Sequence, residues 1–130
     1  MDRSLFLIFN HGITPVQESD AYSSLVVQHI KCLPPDLKAL WRQIPSDLTE
    51  IDNYLEPIKT WLAEKAIKSD YVLIQGDFGA CYIMVNFAFK AGLIPIYSTT
   101  GREAEEESEK DGEVRLVHHF RHRIFRKYGV

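Results

Sequence analysis

Apolar positions along this chain fall in short unbroken runs, separated by stretches of helical periodicity. Residues 5–9 (Leu5, Phe6, Leu7, Ile8, Phe9) contain no polar member, the pattern of a strand buried on both faces as in a parallel sheet. A polar break of Asn10, His11 and Gly12 follows at the strand's carboxyl end. Thr14, Pro15 and Gln17 then read as a helix start. Thr14 serves as N-cap, Pro15 sits where its missing N–H costs nothing, and Gln17 closes a capping box. That helix is expected to end near Tyr22. Residues 25–33 are apolar but interrupted by Gln28, His29 and Lys31, which predicts a strand nearer the sheet edge.

Pro34, Pro35 and Asp36 open a short helix with Leu37, Leu40, Trp41 and Ile44 at helical spacing, closed by Pro45. A longer helix is predicted over residues 54–68, with Leu55, Ile58, Trp61, Leu62 and Ala66 on one face. Asn53 as its N-cap would place Pro57 in the first turn and Glu56 at the third position of a capping arrangement. Residues 71–74 form another apolar run, leading into Gln75, Gly76, Asp77, Phe78 and Gly79. Residues 80–91 read as helix, with Gly92 as a C-cap signal. Residues 93–97 read as a fourth strand, short or edge-lying because of Pro95, ending in Ser98, Thr99, Thr100 and Gly101.

Strands alternating with helices of these lengths predict a single α/β domain over residues 1–130, with a mostly parallel, doubly wound sheet. Ligands of such sheets bind outside the carboxyl ends of the strands. Three polar segments are expected to converge there: residues 10–12, 75–79 and 98–101.

Composition changes this picture little until charge is placed along the chain. The 130 residues are 45% hydrophobic and 25% charged, ordinary for a soluble globular domain with its own core. Net charge is −3, which argues against a protein that coats long nucleic acid. That balance is a sum of unlike parts. Residues 102–113 carry seven acids and two bases, net −5, expected as a mobile acidic loop. Residues 114–128 carry five bases, three histidines and no acid. Their period of two places Val114, Leu116, His118, Phe120, His122 and Ile124 on one face, with Arg115, His119, Arg121 and Arg123 on the other. This predicts a long strand with one face on the core and one basic, suited to a polyanion.

Cys32 and Cys81 show no pairing pattern and no zinc-ligand spacing, so neither a metal site nor a disulfide is expected. The N-terminal apolar run is too short for a signal-peptide core or a membrane span, so a cytoplasmic protein is expected. The 75–79 segment lies between strand and helix. Its glycines permit close backbone approach and its helix start offers free N–H groups to an anion; the alternative is a tight turn with Asp77 capping the helix. It is neither a Walker motif nor a dinucleotide fingerprint. Ser98, Thr99 and Thr100 offer hydroxyls to phosphate or ribose, or turn chemistry. His11 has the pKa range of an acid–base group, and Asn10 beside it could orient a ligand or cap a turn. Cys81 reads as a small buried residue, and Trp41 and Trp61 as core or subunit contacts.

Residues 5–11, 71–80, 92–100 and the closing run 119–126 together resemble a small CRISPR-associated family, the Csx-twenty proteins, over nearly the whole chain. That family is similar to CARF domains, Rossmann-like dimers that bind cyclic oligoadenylate messengers in type III CRISPR systems. The resemblance implies a homodimeric, cofactor-free ring nuclease. It would open cyclic tetra-adenylate by metal-independent attack of a ribose 2′-hydroxyl, or else sequester the messenger uncleaved. No long nucleic acid and no membrane are expected as partners. Taken with the residues above, the expected catalytic set is His11, Ser98, Thr99, His119 and Arg121. Asn10, Gln75, Gly76, Asp77, Phe78, Gly79, Thr100 and Arg123 are expected to bind the ligand, with adenines stacking on Phe78 or Tyr97.

Overall fold

The computed structural model describes residues 2–108, 112 and 114–130, with side chains for 2–102, 112, 114 and 120–130. Strand β1 (Ser4–Ile8) is buried along its whole length, as its unbroken apolar run requires. Helix α1 (Pro15–Asp20) begins with the expected capping box: Gln17 N donates to Thr14 Oγ1, and Thr14 N to Gln17 Oε1. A π-helical turn (Ala21–Leu25) follows, then β2 (His29–Cys32) at the sheet edge. Helices α2 (Pro35–Arg42), α3 (Glu56–Lys65) and α4 (Phe78–Lys90) flank β3 (Tyr71–Ile74), and the chain closes with β4 (Ile94–Ser108) and β5 (Val114–Lys127).

The five strands lie in the order β2-β1-β3-β4-β5. The first four are parallel and β5 is antiparallel to β4. Alternate residues of the inner strands feed two cores. Phe6, Ile8, Val72 and Ile74 pack with Trp41, Ile58, Leu62 and Met84 from α2, α3 and α4. Leu5, Leu7, Leu73 and Ile96 pack with Ala21 and Val27, on the side of α1. Helical layers therefore cover both faces of a mostly parallel sheet, a Rossmann-like α/β fold. Its switch point lies between β1 and β3, where neighbouring chain connections leave in opposite directions.

Three expectations are corrected. Asn53 does not cap α3 with its side chain: a 3-10 turn (Asn53–Leu55) precedes the helix, which starts at Glu56 with Pro57 in its first turn. The fourth strand is long rather than short. Pro95 is fully buried in it, opposite Val72, and the strand continues through Ser98, Thr99 and Thr100 to Ser108. Much of the acidic stretch expected as a loop is therefore strand, paired in register with β5: Glu103 is opposite His119 and Glu107 opposite Arg115. Residues 109–111 and 113 lie outside the described residues.

The third correction concerns the faces of β5. Ser98 pairs with Phe125 and Thr100 with His122, so one residue lies between the paired positions on β4 and two on β5. A β-bulge of this kind inserts one residue and reverses inside and outside beyond it. His122 and Phe125 consequently share the inner face, with ring centroids 4.5 Å apart, while Ile124 is exposed. Val114 and Phe120 are exposed too, because beyond Ile96 the register of β4 with β3 ends and the described pairing is with β5 alone.

Candidate functional site

The carboxyl ends of β1 and β3 and the middle of β4 meet through one residue, Gln75. Gln75 N donates to Ile8 O (3.2 Å), and Gln75 Oε1 accepts from Ser98 N (2.8 Å). Gln75 O takes the indole N–H of buried Trp41 at 3.0 Å. Of the three segments expected to converge, 75–79 and 98–101 are joined directly by the Gln75–Ser98 bond, the latter in strand rather than loop, and residues 10–12 follow the β1 end that Gln75 meets.

Asn10 is half-buried and His11 is exposed, its ring edge-on to Phe9 at 5.3 Å between centroids. Asp77 caps α4 by accepting Ala80 N at 3.0 Å, the structural role weighed for it above. Gly79 lies in the first turn of the helix and is exposed. Gly76 has a different reason to be glycine: a Cβ there would stand 2.8 Å from Trp41 Nε1. Phe78 is 95% exposed at the start of α4.

Beside this loop a groove of about 590 Å³ runs between α4 and the β4–β5 edge. Its walls are aromatic: Phe78, Tyr82, Phe89, Tyr97 and Tyr128, with Gln75 and Asn86 as polar members. Tyr97 and Tyr128 rings lie 4.8 Å apart, and Tyr128 donates its hydroxyl to Ile74 O at 2.6 Å. Burial, with smaller contributions from Cys81 and Tyr97, pushes Tyr128 up to about 12. Arg126 donates to Tyr97 Oη at 3.0 Å and stands 5.6 Å over its ring, a cation held by an aromatic face. Cys81, half-buried in the same wall, is driven up to about 11 by burial, so its thiol stays protonated at neutral pH. Tyr82, Asn86 and Phe89 were not anticipated. Their signal was an α4 more apolar than a one-sided helix needs, leaving aromatic side chains on its outer face.

Two of the three hydroxyls expected to act on a ligand are committed to the fold. Thr99 Oγ1 donates to Ile124 O (3.2 Å) and accepts from Ile124 N (3.1 Å), filling the bulge. Ser98 is buried, with Oγ 2.5 Å from His122 Nδ1 and accepting Gln17 Nε2 at 3.3 Å. Thr100 is exposed. His122 Nε2 in turn lies 2.7 Å from Asp20 Oδ2, and its side chain is 3% exposed. Burial alone would raise the Asp20 carboxyl, but hydrogen bonds from Ser24 and His122 and attraction to the imidazole hold it below the ordinary value. Neither His122 nor Asp20 was expected at the site. Arg121 and Arg123 are exposed on β5. Arg123 lies across Gly101, where a Cβ would overlap its guanidinium Nε, and it borders a second cleft of about 510 Å³ with Pro15, Ser19, Ser23 and His122. The side chain of His119 lies outside the described residues.

Among the described residues no helix is long and apolar enough to cross a membrane. No solved structure matches the chain. MJ1673 of Methanocaldococcus jannaschii, itself described as uncharacterized, is 52% identical over 125 residues that span 96% of each chain. A family model described as the uncharacterized protein MJ1673 family covers residues 3–126. The chain thus belongs to the MJ1673 family.

Proposed function

We propose that this protein is a cytoplasmic ring nuclease of type III CRISPR signalling, which binds cyclic tetra-adenylate and opens it to linear di-adenylate. The observation that carries the reading is the aromatic groove beside the Gln75–Gly76 turn at the carboxyl end of β3, next to the end of parallel β1 from which half-buried Asn10 and exposed His11 follow. Such a crevice is where doubly wound sheets take nucleotides. Phe78 and Tyr97 offer stacking faces for adenine, worth about 1–3 kcal/mol per base. Arg121, Arg123 and Arg126 offer guanidinium groups to phosphate. Two copies related by a twofold axis would present the same loops to opposite halves of a symmetric ring.

The reaction needs no cofactor. A ribose 2′-oxygen attacks its adjacent phosphorus, the P–O5′ bond breaks, and a 2′,3′-cyclic phosphate and a 5′-hydroxyl result. The 2′-proton passes to solvent and the leaving 5′-oxygen takes one from His11. The protein's share is in-line positioning and stabilisation of the charged transition state by arginine and backbone N–H groups. The engagement of Ser98 and Thr99 hydroxyls within the fold favours one second reading, a binder that sequesters the messenger unchanged.

Incubation with cyclic tetra-adenylate in EDTA, with chromatographic separation of products, tests both. Linear di-adenylate is expected. Tight binding of intact ring would establish sequestration instead, and no binding would sink both. His11→Ala should slow cleavage by about 10²-fold if His11 transfers the proton. Wild-type turnover in that variant removes His11 from the mechanism.

A further inference from the structure

His122 joins three elements through contacts that no local pattern connects. Its Nε2 meets Asp20 of α1 at 2.7 Å, its Nδ1 meets Ser98 of β4 at 2.5 Å, and its ring packs on Phe125 across the bulge of its own strand. With Nε2 donating to Asp20, Nδ1 and Ser98 Oγ share the second hydrogen bond, and Ser98 Oγ also accepts Gln17 Nε2. Every polar atom of the group is then satisfied in a buried place, where a half-satisfied network would be costly.

Asp, His and Ser in this order are also the residue types of a hydrolytic triad. The surroundings point elsewhere. Ser98 is 8% exposed, already takes the Gln17 amide, and does not line the neighbouring cleft, which His122 and Asp20 border instead. The trio is built to hold. What it holds is the root of the β4–β5 ribbon. The Ser98 N–H goes to Gln75 Oε1 at the junction of β1 and β3, and the bulge next to His122 sets the course of Arg123 across Gly101. Bulges beside functional sites commonly re-aim a side chain in this way.

We propose that Asp20, His122 and Ser98 form a positioning relay that pins the β5 bulge to α1, and so holds Gln75 and Arg123 in their working places. The relay itself stands on geometry; its effect on turnover rests on the ring-nuclease reading.

The test uses the full chain as wild type, His122→Ala, His122→Gln, Asp20→Asn and Ser98→Ala, with two readouts. Amide hydrogen exchange measured by NMR should quicken at least about 10-fold at Ser98 and Ile124 in His122→Ala, while Tyr71–Ile74 keep their protection. His122→Gln, whose amide retains a donor toward Asp20, should restore part of it. On cyclic tetra-adenylate, kcat should fall about 10²-fold with little change in KM, the cost of misplaced groups rather than lost binding. Should His122→Ala fail to fold, Asp20→Asn and Ser98→Ala carry the same comparison. Unchanged exchange at Ser98 and Ile124 in the folded variants overturns the relay. A wild type that leaves the ring intact overturns the proposed activity, and the exchange result still decides the relay.

Discussion

A methyl group added at Gly76 would meet the indole of Trp41 at 2.8–3.0 Å, and that indole is fixed by its own hydrogen bond to Gln75 O. Neither partner has room to yield without breaking the bond. Gly76→Ala is therefore expected to cost about 1–3 kcal/mol, the usual penalty of overpacking. Gly79→Ala supplies the internal control: its nearest neighbour would be 3.5 Å away, and alanine suits a helix better than glycine. Urea midpoints of the two variants should move in opposite directions or, for Gly79→Ala, hardly at all. The pair shows what a sequence reveals about a glycine. A strand–Gly–helix turn marks the place as special, and a ligand's approach was the natural reading. The group that approaches is Trp41, a tryptophan of α2 far upstream in the chain. The sterics are local, but the partner is supplied by the fold.

Elements governed by their own residues were legible to within a few positions. The capping box at Thr14 and the Asp77 start of α4 depend on contacts three residues apart, and β1 and β3 announce themselves as unbroken apolar runs. Asp77 is accordingly a firm test at this scale. Asp77→Ala should lower stability by about 1 kcal/mol in urea denaturation, and Asp77→Asn should recover most of it, because the N-cap function needs only an acceptor oxygen. A larger effect of Asp77→Asn on ligand binding than on stability would give the carboxylate a role at the site beyond the cap. The β4–β5 pair was less legible. A period of two cannot register a bulge, so the inward assignment held at His122 and failed at Ile124. Nor does an acidic stretch reveal that its first part, Glu103 to Glu107, will lie opposite β5 and continue the sheet. In-register pairing of opposite charges favours that arrangement, whereas either segment alone reads as solvated.

Across the whole molecule, the switch point between β1 and β3 followed from alternating strands and helices. The network that spans α1 and β5 did not, since Asp20 and His122 are 102 residues apart and each has a bland local reading. This long tie makes a prediction about acid stability. The Asp20 carboxyl is held below its ordinary value because Ser24 and His122 outweigh the opposing effect of burial. A carboxyl whose folded pKa lies below its unfolded one binds fewer protons when folded, so its contribution to stability is complete above the unfolded value, about 3.9. That contribution fades as pH falls through the folded value. Asp20→Asn should thus be less stable than wild type from pH 5 to 7 in urea titrations. The gap should narrow steadily below about pH 4, as the wild-type carboxylate takes up its proton and loses the same attraction. A gap that stays constant down to pH 2.5 would mean that Asp20 acts through packing rather than charge. The hold of α1 on the ribbon would then rest on packing and on the Gln17–Ser98 hydrogen bond rather than on the Asp20 charge.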